Sequence, residues 1–291
     1  MHFGRVEQDK DLDLTLPPLS ERSQRFLQLG HQGKGSIFIG APIWAEKLWV
    51  GSLYPESARP SDFLRHYAEH YPCVEYNGSF YRLPSLDQVK AWVRMVPEHF
   101  RFCAKVPQDI SHKLGGVWDP KLLAEVFQVL ETFGEHAGLS FLQLPDHFAP
   151  KDAAALLPFF KAWSQHWPLA IEFRHPSWFT ERKLLDPLIN ELYRHKMSVV
   201  ITDTPGRRDV VHSSLCHTQV MVRFLGTFPS ARDDERLKAW AERLEAWAEA
   251  GLESLYFFVH QARHPGIPPT VDRMRRLIWD KAPQRLVPSS V

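Results

Sequence analysis

Eight short apolar runs, rich in aromatic and β-branched residues, recur along the chain, and longer segments of helical periodicity separate them. Strands that alternate with helices are typical of a parallel sheet built from βα units. Eight such units predict an α/β fold of the TIM type, a (β/α)8 barrel. The predicted strands span residues 37–39, 74–76, 102–106, 140–144, 169–173, 198–202, 220–224 and 255–259.

Helix-start signals support this alternation. Ser85 and Gln88 have the spacing of a capping box, and Asp119 followed by Pro120 is typical of an N-cap and a first-turn proline. The connection over residues 205–218 has no apolar stripe of helical period, so we expect an irregular sixth unit.

A doubly wound open sheet is the alternative architecture. It normally carries a glycine fingerprint after the first strand, where this chain reads GAPIW over residues 40–44. The sequence also contains no GxxxxGK[ST], GxSxG or HExxH motif. No nucleotide-binding or hydrolase motif therefore supports the alternative.

Residues 1–33 are polar and contain Pro17-Pro18, so we expect an N-terminal extension with a short helix over 21–29. Residues 34–291 are predicted to form one domain. No apolar run approaches the roughly 20 residues of a membrane-spanning helix, and acidic residues stand where a signal peptide has its apolar core. We therefore expect a cytoplasmic protein without membrane contact.

Charge and cysteine content exclude other classes. The chain has 35 Lys and Arg against 34 Asp and Glu, a formal charge of +1, which gives no overall attraction to nucleic acid. Its three cysteines are odd in number and lack CxxC spacing, which argues against a disulfide framework and a structural zinc site.

The most informative stretch is IEFRHPSWF, residues 171–179. Glu172, Arg174 and His175 follow an apolar strand, and Pro176 ends the ladder because it lacks a backbone donor. In a parallel barrel, ligands and catalytic groups gather where strands end. The alternative is a buried ion pair from Glu172 to Arg174 or His175 that only ties the strand to its loop.

Polar residues also follow the other predicted strands, and a barrel would bring them to one end. This set comprises Glu75, Asn77, Tyr81, Lys105, His112, Gln143, Glu172, Arg174, His175, Asp203, Arg223 and His260.

Each type of side chain indicates a role. Arg174 and Arg223 have the fork geometry that binds oxyanions, and Lys105 would act as a point charge or, if desolvated, as a base. Gly226 and Gly266, in the loops after strands seven and eight, would let backbone amides approach an anion, or would simply be turn glycines.

The carboxylates allow two kinds of chemistry. Glu75, Glu172 and Asp203 with a histidine would suit a divalent metal ion, while Glu75 and Glu172 alone would suit a general acid and base pair. The structural alternatives are that Glu75 pairs with Lys105, and that Asp203 caps its own turn.

The hypothesis that follows is an enzyme, a hydrolase, lyase or isomerase, that acts on a small anionic, phosphorylated or sugar-like substrate at the strand ends. The alternative is a non-catalytic nucleotide or nucleic-acid binding module.

Successive blocks of the sequence resemble the YecE-like family, designated domain of unknown function 72. The resemblance implies a TIM-type barrel with a polar cluster at its C-terminal face and implies no activity. The chain departs from the family pattern at Leu225-Gly226, where a histidine is common, and at His260-Gln261, where paired asparagines are common. The matching blocks are GAPIW, LWVGSLYP, VEYNGSFYRLP, FRFCAKVPQDISH, LQLP, EFRHPSWF, VVITDTP and VRFLG.

Overall fold

The computed structural model describes residues 3, 4, 6, 11–29, 35–116, 118–163, 165–227 and 231–289. Its strands are β1 Ser36–Gly40, β2 Cys73–Tyr76, β3 Arg101–Ala104, β4 Ser140–Gln143, β5 Leu169–Glu172, β6 Phe179–Thr180, β7 Lys183–Leu184, β8 Ser198–Asp203, β9 Gln219–Leu225 and β10 Ser254–His260. Its helices are α1 Glu21–Gln28, α2 Phe63–His70, α3 Leu86–Val93, α4 Gln108–Ser111, α5 Pro120–Phe133, α6 Leu156–Ala162, α7 Asp186–Arg194, α8 Ala231–Glu249 and α9 Ile267–Lys281.

The centre of the fold is a parallel sheet of six strands in the order β1-β10-β9-β8-β5-β4, and β2 pairs with β3 in a second parallel sheet. Single parallel bridges connect the two sheets, between Ala41 and Val74 at one side and between Lys105 and Phe141 at the other. The molecule is therefore an α/β fold around a central parallel sheet, with helices as the main connections.

All eight predicted strands are present, with ends that differ by no more than two residues. The capping box at Ser85 and Gln88 is formed, and the Asp119 side chain accepts a hydrogen bond from the backbone of Lys121. Between β8 and β9 the chain makes only a short 3-10 turn, Arg208–Val210, so the irregular sixth connection is confirmed. The antiparallel hairpin of β6 and β7 was not predicted, because two-residue strands carry no readable alternation.

The strands form near-continuous apolar runs because helices or other strands cover both of their faces. One core cluster lies between sheet and helices, and a smaller one, which includes Phe38, Phe141 and Phe258, lies among the strands. The guanidinium of Arg223 lies 5.2 Å from the Phe141 ring centroid, so this smaller cluster supports the polar groups at the strand ends.

Part of the predicted extension, residues 1, 2, 5, 7–10 and 30–33, lies outside the described residues. Its predicted helix over 21–29 is present as α1, and the division into an extension and one domain stays a prediction. No helix among the described residues is long and apolar enough to cross a lipid bilayer.

The buried carboxylate of Asp203, at the end of β8, anchors α8. It accepts a hydrogen bond of 2.6 Å from Trp240 Nε1, lies 2.9 Å from Arg236 Nη2, and pairs with Arg208. Burial opposes its ionisation, but the two guanidiniums and the indole outweigh that effect and lower the pKa of Asp203 to about 2. Asp203 neither caps its own turn nor lines the cavity described below.

We predict that Asp203→Asn destabilises the fold by roughly 2 to 4 kcal/mol, because Arg236 would stay buried with one fewer counter-ion. Because the folded-state pKa is lowered, the contribution of Asp203 is present above its ordinary value near 3.8 and is lost as pH falls toward 2. Urea unfolding at pH 7 and at pH 3 measures this. The matched control is Asp209→Asn, which removes a half-exposed partner of Arg207 and should cost less than about 1 kcal/mol. Equal losses in the two variants would contradict the prediction.

Candidate functional site

A cavity of about 680 Å³ opens where the parallel strands end. Seven of the sequence-predicted site residues line it, and Glu75 and Glu172 are buried against that set. The lining residues among the predicted ones are Asn77, Tyr81, Lys105, Gln143, Arg174, Arg223 and His260.

Arg223, on β9, is the centre of the site. Its Nε and Nη2 donate to the two carboxylate oxygens of Glu75, at 3.0 and 2.8 Å, and its Nη1 donates to Glu172 Oε2 at 2.6 Å. All three side chains are at most 1 % exposed. The forked guanidinium therefore links β2 to β5, which belong to different sheets.

Each carboxylate has further partners. Glu75 accepts from Asn77 Nδ2 at 2.8 Å and lies 3.0 Å from His260 Nε2. Glu172 accepts from Arg174 Nε at 2.9 Å and from the hydroxyl of Thr202 at 2.8 Å. The predicted ion pair between Glu172 and Arg174 is thus formed, as one edge of a larger network.

The guanidiniums keep both carboxylates ionised. Burial opposes the charged form of Glu172, but Arg174 and Arg223 outweigh burial and lower its pKa to about 2. Burial also opposes the charged form of Glu75, but Arg223 and His260 outweigh burial and hold the pKa of Glu75 well below its usual range. Neither group carries a transferable proton at neutral pH in this arrangement. Their catalytic role stays a prediction, and the contacts present are those of counter-ions.

The side chain of Gln143 contacts all three cationic side chains of the site. Its Oε1 accepts from Arg174 Nη2 at 2.8 Å and from Lys105 Nζ at 3.0 Å, and lies 3.5 Å from Arg223 Nη1. The predicted alternative in which Glu75 pairs with Lys105 is wrong, because Glu75 pairs with Arg223 and the Lys105 ammonium donates to Gln143.

Lys105 is therefore the unusual charge of the site. Its ammonium contacts a neutral amide oxygen and lies 3.7 Å from the centroid of the Phe80 ring. Burial, and then repulsion from Arg223, lowers its pKa to about 7. Arg223 and Arg174 balance Glu75 and Glu172, and burial lowers the pKa of His260, so Lys105, when protonated, is an additional positive charge among these buried groups.

The donor set does not suit a divalent metal ion. No group of three or more His, Cys, Asp or Glu side chains in the described ranges is arranged to hold one. Both oxygens of Glu75 and of Glu172 already accept from guanidinium, amide or hydroxyl donors. A cavity wall that carries Lys105, Arg174 and Arg223 favours an anion over a cation.

Three further predicted residues neither line the cavity nor belong to the Arg223 network. His112 packs its ring 5.5 Å from that of Phe80, which lines the wall, and burial followed by repulsion from Lys105 lowers the pKa of His112. His175 accepts from the backbone of Ser177 and caps a turn. The third, Asp203, anchors α8.

The backbone amides of both loop glycines are bonded within the protein. Gly266 ends a 3-10 turn, as the structural alternative held, whereas Gly226 extends the pairing of β9 with β10. The amide of Gly226 donates to the carbonyl of His260 at 2.8 Å, and that of Gly266 donates to the carbonyl of Arg263 at 3.0 Å. A Cβ at Gly226 would lie 2.2 Å from the side-chain amide of Gln261, so that side chain would have to move to accommodate any larger residue.

Sequence reasoning missed several members of the wall, among them Phe3, Asp146 and His264. His264 lies beyond the end of β10, in a loop where polar residues were expected, and its ring contacts Glu46. Asp146 follows β4 in the same way. In the sequence, Phe3 lies far from any predicted strand, and no local pattern indicates that it lines the cavity.

Comparisons with known proteins agree with this architecture. A family model described as "Protein of unknown function DUF72" matches residues 38–288. The chain belongs to the DUF72 family. It is 28% identical over 242 residues to the UPF0759 protein YecE of Escherichia coli strain K12, covering 77% of this chain and 86% of that protein. It is 31% identical over 151 residues to the UPF0759 protein YunF of Bacillus subtilis, covering 50% and 52%.

Two solved DUF72 structures share the fold. A Thermotoga maritima protein superposes with a TM-score of 0.68 at 22% identity, covering 84% of this chain and 99% of that one. An Enterococcus faecalis protein gives 0.63 at 20% identity, covering 85% and 99%. At this identity the likeness concerns the fold, which in this DUF72 chain is an α/β fold around a central parallel sheet.

We predict that Arg223→Met destabilises the protein by about 3 to 5 kcal/mol, because Glu75 and Glu172 would face each other in the core without their shared counter-ion. Urea unfolding at pH 7 measures the loss. Arg25→Met, which breaks an exposed pair with Glu21, is the control and should cost less than about 1 kcal/mol. A loss of unfolding free energy in Arg223→Met no larger than that in Arg25→Met would contradict the prediction.

Lys105→Met should have the opposite effect and stabilise the protein, by roughly 2 to 5 kcal/mol at pH 6, because a buried excess charge is removed. Between the folded-state pKa of about 7 and the ordinary value near 10.5, the unfolded chain binds the extra proton, so wild-type stability rises with pH in that window. The gain should therefore shrink as pH rises above 7.

Thermal unfolding from pH 6 to pH 9 measures this effect, with Lys113→Met at an exposed pair as the matched control. A destabilised Lys105→Met variant at pH 6 would show that the ammonium is a structural requirement.

Proposed function

We propose that the protein is an enzyme that binds a small anionic substrate, phosphorylated or sugar-like, at the ends of the strands, with Lys105 as the group that exchanges a proton with it. One observation carries the proposal. Three cationic side chains, Lys105, Arg174 and Arg223, converge on the oxygen of Gln143 at the cavity wall.

Charge balance supports anion binding. The two arginines are matched by the two buried glutamates, so the protonated Lys105 is an additional positive charge among the buried groups. A phosphate or carboxylate near Gln143 would neutralise that charge where little water competes. The exposed carboxylate of Asp146 lies 3.6 Å from Arg174 and is too solvated to replace such a ligand.

The lysine suits proton transfer. A pKa of about 7 makes the amine and the ammonium comparably populated at neutral pH, which is the condition for efficient general acid and base catalysis. Glu75 and Glu172 would hold the arginines that orient the substrate. This division of roles fits a lyase, an isomerase or a hydrolase, each of which moves a proton beside a developing negative charge.

We also propose that the strands close into a (β/α)8 barrel. In support, Glu75 N donates to Ala41 O at 3.0 Å between β1 and β2, and Val106 N donates to Phe141 O at 2.9 Å between β3 and β4. These bonds lie at the two junctions between the sheets. With residues 34–291 as the single domain, the cavity would be the C-terminal mouth of that barrel.

A non-catalytic nucleotide-binding module is the second candidate. Tyr81 lines the cavity with 74% of its surface exposed, which offers a stacking platform for a base beside the cationic wall. Overall charge gives a nucleic acid no further attraction. Such a module would release its ligand unchanged.

Sulfate is the probe for the anion site, because its charge stays constant between pH 6 and pH 8. We expect wild-type affinity to fall about tenfold over that range as Lys105 loses its proton. Titration calorimetry measures it. Lys113→Met should keep this pH dependence and Lys105→Met should lose it. Equal pH dependence in all three proteins would remove Lys105 from the proposal.

Turnover separates the two candidates. Wild-type protein is incubated with a panel of sugar phosphates and nucleotides, and mass spectrometry detects product. An enzyme with a lysine acid or base should lose about 100-fold or more in turnover on Lys105→Met while still binding the compound through its arginines. A compound that binds but is recovered unchanged would favour the binding module.

A further inference from the structure

Phe3 lies at the wall of the cavity, far from the rest of the site in sequence. Its ring centroid is 4.4 Å from the guanidinium carbon of Arg174 and 4.9 Å from that of Arg207. Arg207 in turn donates to the backbone carbonyl of Arg174 at 3.0 Å. The ring therefore lies against both cations, in the geometry of a cation-π contact.

The backbone beside this ring is held in place. The carbonyl of Gly4 accepts from Gly206 N at 2.8 Å and from the Thr204 hydroxyl at 2.6 Å. Gly4 has a φ of +64°, and a Cβ on it would lie 2.6 Å from the Thr204 side chain. A Cβ on Gly206 would lie 2.7 Å from the Gly4 carbonyl. Glycine at both positions is thus required for this contact.

The DUF72 match begins at residue 38, so Phe3 lies outside the part of the chain that matches the family model. The part of the cavity wall formed by Phe3 borders Arg174, and Arg174 and Lys105 both donate to the side-chain oxygen of Gln143. We propose that Phe3 is a specificity-determining residue, which covers one side of the cationic site and limits the size of the group that can reach Lys105. The inference concerns access to the site and stands whether or not the site is catalytic.

Two anionic lysine reagents of different size provide the test. Cyanate is small, and trinitrobenzenesulfonate is bulky and aromatic. Both react with the neutral amine, which Lys105 holds at pH 8 to a greater extent than an ordinary lysine. Peptide mass spectrometry follows the rate of modification at Lys105 in the wild type, Phe3→Ala and Phe3→Leu.

We expect Phe3→Ala to raise the rate with trinitrobenzenesulfonate about tenfold or more, while the rate with cyanate changes less than about threefold. Phe3→Leu, which keeps bulk, should lie between the wild type and Phe3→Ala. Gly4→Ala should behave as Phe3→Ala does, because it displaces the ring without changing it. Exposed Lys113 in the same samples is the internal control and should not respond.

An unchanged ratio of the two rates at Lys105 in Phe3→Ala and Gly4→Ala would overturn the inference. Failure of either reagent to modify Lys105 in any variant would overturn it as well, since Phe3 would then not be the barrier. Neither readout requires sulfate binding or turnover, so loss of the proposed enzymatic function and loss of this inference are separate outcomes.

Discussion

The whole site depends on one buried guanidinium. Arg223 holds Glu75 from one sheet and Glu172 from the other, and all three groups are removed from water. Desolvating an ion is expensive unless it is paired and its hydrogen-bonding groups are satisfied, and here each carboxylate oxygen has at least one donor. The apolar cluster beneath, with Phe141 against Arg223, keeps water out and so strengthens the pairing.

This arrangement separates the charges that maintain the structure from those that meet a ligand. Glu75, Glu172 and Arg223 satisfy one another. Lys105 interacts with a neutral amide and an aromatic ring instead, and burial with repulsion from Arg223 lowers its pKa. An unfavourable charge at a cavity wall is a common mark of a functional group, because the fold alone gives no reason to retain it.

The sequence predicted much of this and failed for definable reasons. Alternation of apolar runs with capped helical segments identified all eight main strands, since buried parallel strands are strongly patterned. Strand-end position predicted that Glu75, Lys105, Gln143, Glu172, Arg174, Arg223 and His260 lie in one cluster, because parallel strands bring their ends together. Pairing was not predictable. Glu75 pairs with Arg223, 148 positions away, rather than with Lys105 on the adjacent strand, and local spacing cannot rank such partners. Phe3 was missed because a residue outside the repeating units has no period to indicate its place.

The pairing of Arg223 with two glutamates also bears on how sequences of this kind can diverge. Replacing any one of the three leaves an unpaired charge in the core, so a viable change at one position requires a compensating change at another. The triad is therefore expected to be inherited as a block. Lys105 and Phe3 require no compensating change, so each can vary by a single substitution. Relatives can therefore alter the proton chemistry or the size of the ligand on an unchanged scaffold.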